Sequence, residues 1–447
     1  MTLILDCIYI VAGACLLPYW LWKLPQSRRY RAGIPQRLGF GPPMPAGCRR
    51  LWVHCASVGE ASIPRSLVAR LRECHPGWQV VFSTNTDTGA RRLRELYPDC
   101  PVFFMPLDVS LCARRALRRV APDAVLLVEL EVWPNFMDAC RARGVPVGII
   151  SGRIGRSSRR LLRTLSRLMP RLWEPLRLVC ARSPDDAQGF LGANVPADRV
   201  FDCGSLKYDN LPDEPDSGDE QRLRRLFNLP PGTPVVVGGS THDGEEVLLA
   251  GVYRDLKRRH RDVQLVLAPR HVERADQVAA AIRARGFTVS RKSELDASGT
   301  PARRDDVILV DTIGDLMACY GLSTCAFVGR SLLPPGGGQN MMEPAALGKP
   351  VLVGPYTRNF EPEMALLRAA GAVIVVRSRA ELAGQIDMLL SDRRRAERIG
   401  RAGQETIAGS RGATERTLAR LSRARLFGDE AACRDDAQGR SVQGHPT

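Results

Sequence analysis

The chain has 447 residues, 44% of them hydrophobic and 25% charged, an ordinary globular composition with enough apolar side chains for two or three domain cores. A formal charge of +16, almost all from arginine, favours partners that carry phosphates or an anionic membrane surface. With six histidines, a histidine-based metal site is not expected. The thirteen cysteines form no CxxC pair and read as reduced, mostly buried thiols of a cytosolic compartment.

Residues 3–22 are almost entirely apolar, broken by Asp6 and Pro18, and about twenty such residues span a bilayer's hydrocarbon core. Lys23, Arg28, Arg29, Arg31 and Arg37 follow the run and no basic side chain precedes it. The positive-inside rule then places the rest of the chain in the cytoplasm, with Asp6 near the outer interface. The basic cluster lies on the wrong side for a cleaved signal peptide. The segment reads as a single N-terminal anchor, with a partly inserted helix as the alternative.

From Leu51 onward short apolar runs alternate with amphipathic stretches. Strands are expected at 51–55, 79–83, 101–105, 123–128, 145–150, 177–181 and 199–202, and again at 234–238, 263–268, 286–290, 307–310, 324–328, 350–353 and 372–376. Such alternation predicts βαβ units and parallel sheets covered by helices on both faces. The acidic, Pro/Gly-rich stretch through Pro230-Pro231-Gly232 is the best boundary. The plan is an anchor at 1–24, a basic juxtamembrane segment at 25–50, an α/β domain at 51–210, a linker at 211–233, a second α/β domain at 234–426 and a disordered tail at 427–447. A cleft is expected between the two domains.

In such sheets ligands sit at the carboxyl ends of strands. The first strand runs into Ser57-Val58-Gly59-Glu60, and Glu60 opens a helix. There a carboxylate either takes a proton from an incoming hydroxyl or merely complements the helix dipole. Another strand ends in Glu129-Leu130-Glu131-Val132-Trp133-Pro134, a second acidic strand end. Residues 151–174 carry Arg156, Arg159, Arg160 and Arg163 among leucines at helical spacing, the pattern of a basic amphipathic helix. It either binds phosphorylated lipid head groups or simply solvates its arginine face.

In the second half, Ser240 and Thr241 follow a strand and are positioned to cap a helix, and Arg270 ends the next strand as a carboxylate or phosphate clamp. The run Gly336-Gly337-Gly338-Gln339-Asn340 leads into a short helix, Met341 to Leu347, closed by Gly348. Glycine amides and a helix start would suit a nucleotide phosphate, and Glu343 in the first turn could accept hydrogen bonds from a ribose diol. A turn with no ligand is the plain alternative.

The ordered set of motifs resembles the 3-deoxy-D-manno-octulosonic acid (Kdo) transferases of lipopolysaccharide assembly. It is carried by Arg37-Leu38-Gly39, Ser57 to Glu60, Glu131 to Asn135, Gly204-Ser205-Leu206-Lys207-Tyr208-Asp209, Gly239 to His242, Pro269-Arg270-His271, Asp311-Thr312 with Gly314, and the glycine stretch. The resemblance implies a GT-B glycosyltransferase fold, two Rossmann-like domains facing a cleft. It implies CMP-Kdo as donor, a lipid A precursor as acceptor, inversion at the anomeric carbon, and neither metal nor cofactor. Glu60 becomes the general base. Lys207, Ser240, Thr241, Arg270, Gly337, Gly338, Asn340 and Glu343 become donor contacts, with Lys207 and Arg270 as candidates for the sugar's carboxylate. Ser57, Gly59, Glu131, Arg156, Arg159 and Arg160 become acceptor contacts. The chain departs from the family's usual pattern at Gln339, where histidine is common, at Arg330, where glycine often stands, and at Arg358, which replaces an aromatic.

The setting expected is the cytoplasmic face of the inner membrane, with anionic lipids as partners. The alternatives are a related transferase using another nucleotide sugar, or a non-catalytic membrane-tethered anion-binding module. Nucleic acid is not an expected partner. Aromatics that would stack bases are not interleaved with the arginines, and carboxylates at strand ends would repel phosphates.

Overall fold

Each apolar run expected to be a strand forms one in the computed structural model, which describes residues 5–11, 15, 33–45, 47–212, 214 and 217–428. The chain divides into two units, residues 1–210 with 411–447, and residues 211–410. In the first, β1 (Arg49–His54), β2 (Trp78–Thr84), β3 (Val102–Phe104), β4 (Ala124–Val128), β5 (Val147–Gly152), β6 (Leu176–Ala181) and β7 (Val200–Asp202) lie in the order β3-β2-β1-β4-β5-β6-β7. All pairings are parallel. Parallel strands need helical crossovers, and these cover both faces, so β4 is apolar and buried along its whole length. One face packs Trp52, Phe103 and Phe136; the other packs Leu51, Val53 and Phe82.

The second unit repeats the plan. Its strands are β8 (Val235–Thr241), β9 (Gln264–Pro269), β10 (Val289–Arg291), β11 (Val307–Leu309), β12 (Cys325–Val328), β13 (Val351–Val353) and β14 (Val373–Val375), in the order β10-β11-β9-β8-β12-β13-β14 and all parallel. Strand order reverses between β1 and β4 in the first sheet and between β8 and β12 in the second. Crevices open at such points at the carboxyl ends of strands.

Several boundaries differ from the expectation. Residues 217–226 form a helix, not a linker, because Leu223 and Phe227 are buried in the second unit's core. The final helix, Ala413–Arg423, belongs to the first unit. Leu418 and Leu421 pack with Leu178, and Asp209 accepts the backbone N–H groups of Gly412 (2.8 Å) and Thr414 (2.5 Å). Phe427, assigned to the tail, is buried against His75 and Trp78. The rest of the expected tail lies outside the described residues, as does most of the apolar run 3–22. Among the described residues no helix is long and apolar enough to cross a membrane. Asp6, expected near the outer interface, has its Oδ1 accepting the Ser110 N–H (2.8 Å) and an Asn135 side-chain N–H (3.0 Å) of the first unit. Most described cysteines are free thiols, but Cys74 is disulfide-bonded.

Candidate active site

Beyond β1 the chain turns through Ala56 and Ser57 into the short helix Val58–Ala61, which fixes the Glu60 carboxylate over its own turn. Oε2 accepts the Ala56 N–H (2.8 Å) and Oε1 accepts the Ser57 hydroxyl (2.9 Å). Burial pushes the Glu60 carboxyl above its ordinary value. The two hydrogen bonds pull it back, and the charges of Glu129 and Glu131 push it up further. Helix-dipole complementation alone does not require such a placement. A half-buried carboxylate of raised basicity at a strand end is equipped to accept a proton.

Glu131 sits in the same cluster. Its Oε2 accepts the Trp133 indole N–H (3.1 Å) and an Asn85 amide N–H (3.3 Å), and lies 3.5 Å from Nε2 of the fully buried His54. Lys207, expected on the donor, belongs to the first unit, and its Nζ lies 3.2 Å from Glu129 Oε1. Glu129 was legible only as an acidic residue at a strand end. Its left-handed backbone (φ 59°) turns it toward Lys207, 78 residues on. The first unit thus gathers Glu60, Glu129, Glu131, His54 and Lys207 at the carboxyl ends of β1 and β4, while Ser57 supports Glu60 and Gly59 is exposed.

Arg156, Arg159 and Arg160 lie on the helix Arg156–Leu168. Leu162 is its buried anchor, whereas Leu161 and Leu168 stay 60% and 54% exposed among arginines. Arg163 is partly engaged, donating to the Gly192 carbonyl at 2.8 Å. The helix therefore presents apolar and basic groups together to the outside.

In the second unit, the key organiser is a residue that stands in a recognisable sequence motif, Gly244-Glu245-Glu246, but has no role legible there. Glu245, 1% exposed, accepts four backbone N–H groups: His242 (2.9 Å) and Arg330 (2.7 Å) on Oε2, Ser331 (3.0 Å) and Leu332 (3.2 Å) on Oε1. It ties the end of β8 to the loop after β12. The available signal was its place in Gly244-Glu245-Glu246, one turn beyond a strand end.

Two expected donor contacts are otherwise occupied. Thr241 is fully buried and donates its hydroxyl to Glu246 Oε1 (3.1 Å), which leaves Ser240 as the accessible hydroxyl of that pair. The amides of Gly337 and Gly338 do not form a free cradle: they donate to the Tyr356 carbonyl (3.0 Å) and the Arg330 carbonyl (2.7 Å). These glycines serve tight backbone passage. At Gly337, with φ 127°, a Cβ would come within 2.6 Å of the Asn359 side chain. The amides of Gln339 and Asn340 have no partner among the described residues. Just before the short helix Met342–Ala346, Asn340 Oδ1 accepts the Met342 N–H (3.3 Å) and its side-chain N–H donates to Glu343 Oε1 (2.9 Å). Burial raises the Glu343 carboxyl, and the Asn340 hydrogen bond and the charge of Arg270 partly offset this. Tyr320 is fully buried beneath, its hydroxyl unpartnered among the described residues.

The family described as 3-deoxy-D-manno-octulosonic-acid transferase matches residues 32–210. The chain is 33% identical over 429 residues to the 3-deoxy-D-manno-octulosonic acid transferase of Bordetella pertussis, covering 92% of this chain and 97% of that one. It is 31% identical over 403 residues to the enzyme of the same name from Haemophilus influenzae, covering 88% and 91%. Among solved structures, UDP-GlcNAc 2-epimerase from Neisseria meningitidis aligns with a TM-score of 0.57 at 15% identity, over 84% of this chain and 100% of that one. MurG from Acinetobacter baumannii aligns at 0.51 and 14%, over 84% and 100%. At these identities the structural likeness shows the fold, two parallel-sheet α/β units of GT-B type. The sequence relatives show more: the chain belongs to the 3-deoxy-D-manno-octulosonic acid transferase family and is a glycosyltransferase.

Proposed function

We propose that this chain transfers Kdo from CMP-Kdo to a lipid A precursor, with inversion at the anomeric carbon and without a metal, at the cytoplasmic face of the inner membrane. The observation that carries the reading is the Glu60 carboxylate, anchored by Ala56 and Ser57, half-buried and made more basic by burial and two neighbouring glutamates. An inverting transfer needs one base to take the acceptor hydroxyl's proton as the hydroxyl oxygen attacks the anomeric carbon. The phosphate then leaves from the opposite face of the sugar. Glu60 takes that proton. Arg270 offsets the charge that develops on the leaving phosphate, aided by the Ser240 hydroxyl and the amides of Gln339 and Asn340. Glu343, steadied by Asn340, receives the ribose hydroxyls. Glu131 and the arginines of the helix Arg156–Leu168 receive the phosphorylated acceptor. Membrane attachment is supported by the apolar run 3–22 with its basic flank, and by Leu161 and Leu168 standing exposed among arginines.

Glu60→Gln is the decisive variant. Its amide can donate to the Ser57 oxygen while its carbonyl accepts from Ala56, so the fold is retained and only the base is lost. Transfer, followed by mass spectrometry of a defined lipid acceptor incubated with CMP-Kdo, should fall by at least about a hundredfold. Near-full activity would remove Glu60 from the mechanism. Transfer from a UDP-sugar in place of CMP-Kdo would instead favour the related nucleotide-sugar transferase.

A further inference from the structure

The donor named above carries two anions, a phosphate and the carboxylate of its acidic sugar, and one of the two groups first matched to that carboxylate is taken. Lys207 faces Glu129 at 3.2 Å. The second unit holds an unused alternative where the loop after β12 begins. Arg330 makes no ion pair among the described residues, and neither does Arg270. Arg274, by contrast, is neutralised by Glu246 and Asp243, each at 3.1 Å. Arg330 is placed by three contacts: its N–H goes to Glu245, its carbonyl accepts the Gly338 N–H, and Gly329 before it passes so close to Glu245 that a Cβ would sit 2.8 Å from Oε2. Its N–H and that of His242 donate to the same oxygen, Glu245 Oε2 (2.7 and 2.9 Å), which holds the two residues side by side. After burial, Arg330 is the strongest influence holding the His242 ring down, to about 4, ahead of His271, Arg274 and Arg270. His242 is therefore neutral, accepting the Gln339 side-chain N–H at Nε2 (3.1 Å), with His271 edge-on at 5.6 Å. Arg270 and Arg330 are thus two guanidiniums near His242 and the glycine loop with no acidic partner at ion-pair distance among the described residues.

The φ of Arg330 is 57°, in the left-handed region that glycine occupies freely and that an arginine enters only at a cost. Glycine would fit this backbone without that cost, so the fold itself does not require an arginine side chain there. Gln339, one residue past the glycines, is uncharged and supplies no cation to the same pocket.

We propose that Arg330 is the residue that binds the carboxylate of the acidic sugar in the donor, with Arg270 left to the phosphate. This rests on the donor assignment made above. The guanidinium fork suits a planar carboxylate, and its position on the loop after β12 puts it beside the neutral His242–Gln339 pair, which can orient the sugar without competing for its charge.

The test separates carboxylate from phosphate by comparing CMP-Kdo with CMP alone. Arg330→Gly suits the left-handed backbone, so its thermal midpoint should equal or exceed that of the wild type. Its KM for CMP-Kdo should rise about 10- to 100-fold, the worth of one charge-assisted pair, while its Kd for CMP changes less than about threefold. Arg330→Lys should recover only part of the loss. An unchanged KM for CMP-Kdo would overturn the proposal and leave the function standing. Equal weakening of CMP and CMP-Kdo would assign Arg330 to the phosphate instead, and a clearly lowered thermal midpoint would make it structural. Wild-type protein that neither binds nor uses CMP-Kdo would overturn the function itself, and this inference with it.

Discussion

Glu245→Gln probes the element on which the second unit's site depends. The wild-type carboxylate holds four backbone amides, two on each oxygen, at 2.7 to 3.2 Å. Glutamine keeps one oxygen and turns an N–H₂ toward the other pair, so two charge-assisted hydrogen bonds are lost and two buried donors face a donor. At about 1.5–3 kcal/mol for each bond to a charged group, the loop after β12 loses roughly 3–6 kcal/mol of local stability. In hydrogen exchange followed by mass spectrometry, this corresponds to at least about a hundredfold faster exchange, since each 1.4 kcal/mol is a factor of about ten. The effect should fall on the peptides containing His242 and residues 330–332 and not on β1 or β4. The KM for CMP-Kdo should rise along with it. Exchange within about threefold of wild type at those amides would refute the view that Glu245 holds the loop.

Four further outcomes are expected. Gly239→Ala would place a Cβ 2.0 Å from the Tyr320 hydroxyl in a closed core, so the thermal midpoint should drop by the equivalent of about 1–3 kcal/mol. Adding Tyr320→Phe should restore part of it, and an unchanged midpoint for the single variant would show that the core yields. Because burial raises the Glu60 carboxyl and the base must be charged, kcat/KM should fall as pH drops through a limb lying above 4.5; a limb at or below 4.5 would contradict the assignment. Asp108, pushed up to about 7 chiefly by burial, favours the folded state when protonated. Its stabilising contribution is full below its unfolded value near 3.8 and is lost as pH rises through about 7, so Asp108→Asn should flatten the fall in thermal midpoint between pH 5 and 8. Changing Arg156, Arg159, Arg160 and Arg163 together to Ser should raise the acceptor's KM by about tenfold or more while the donor's stays within about twofold, and equal effects on both would point to a folding defect.

The amino-acid order alone determined the two sheets, because strands of a parallel sheet are buried on both faces and stand out as short continuous apolar runs such as Ala124–Val128. It also determined that Glu60, Glu131 and Arg270 lie at strand ends, since that needs only the end of each run. What it could not decide is which partner each polar group takes. Thr241 is given to Glu246, Lys207 to Glu129, and the Gly337 and Gly338 amides to the carbonyls of Tyr356 and Arg330, partners that no local pattern selects whether they lie five residues away or 78. The helix Ala413–Arg423 shows the same limit. Its apolar stripe announces that it must be buried, but only the folded chain offers the surface beside Leu178, and so returns the last helix to the first unit. Period and propensity are local quantities, whereas hydrogen-bond partners and packing surfaces are chosen among residues that become neighbours only once the sheets have formed.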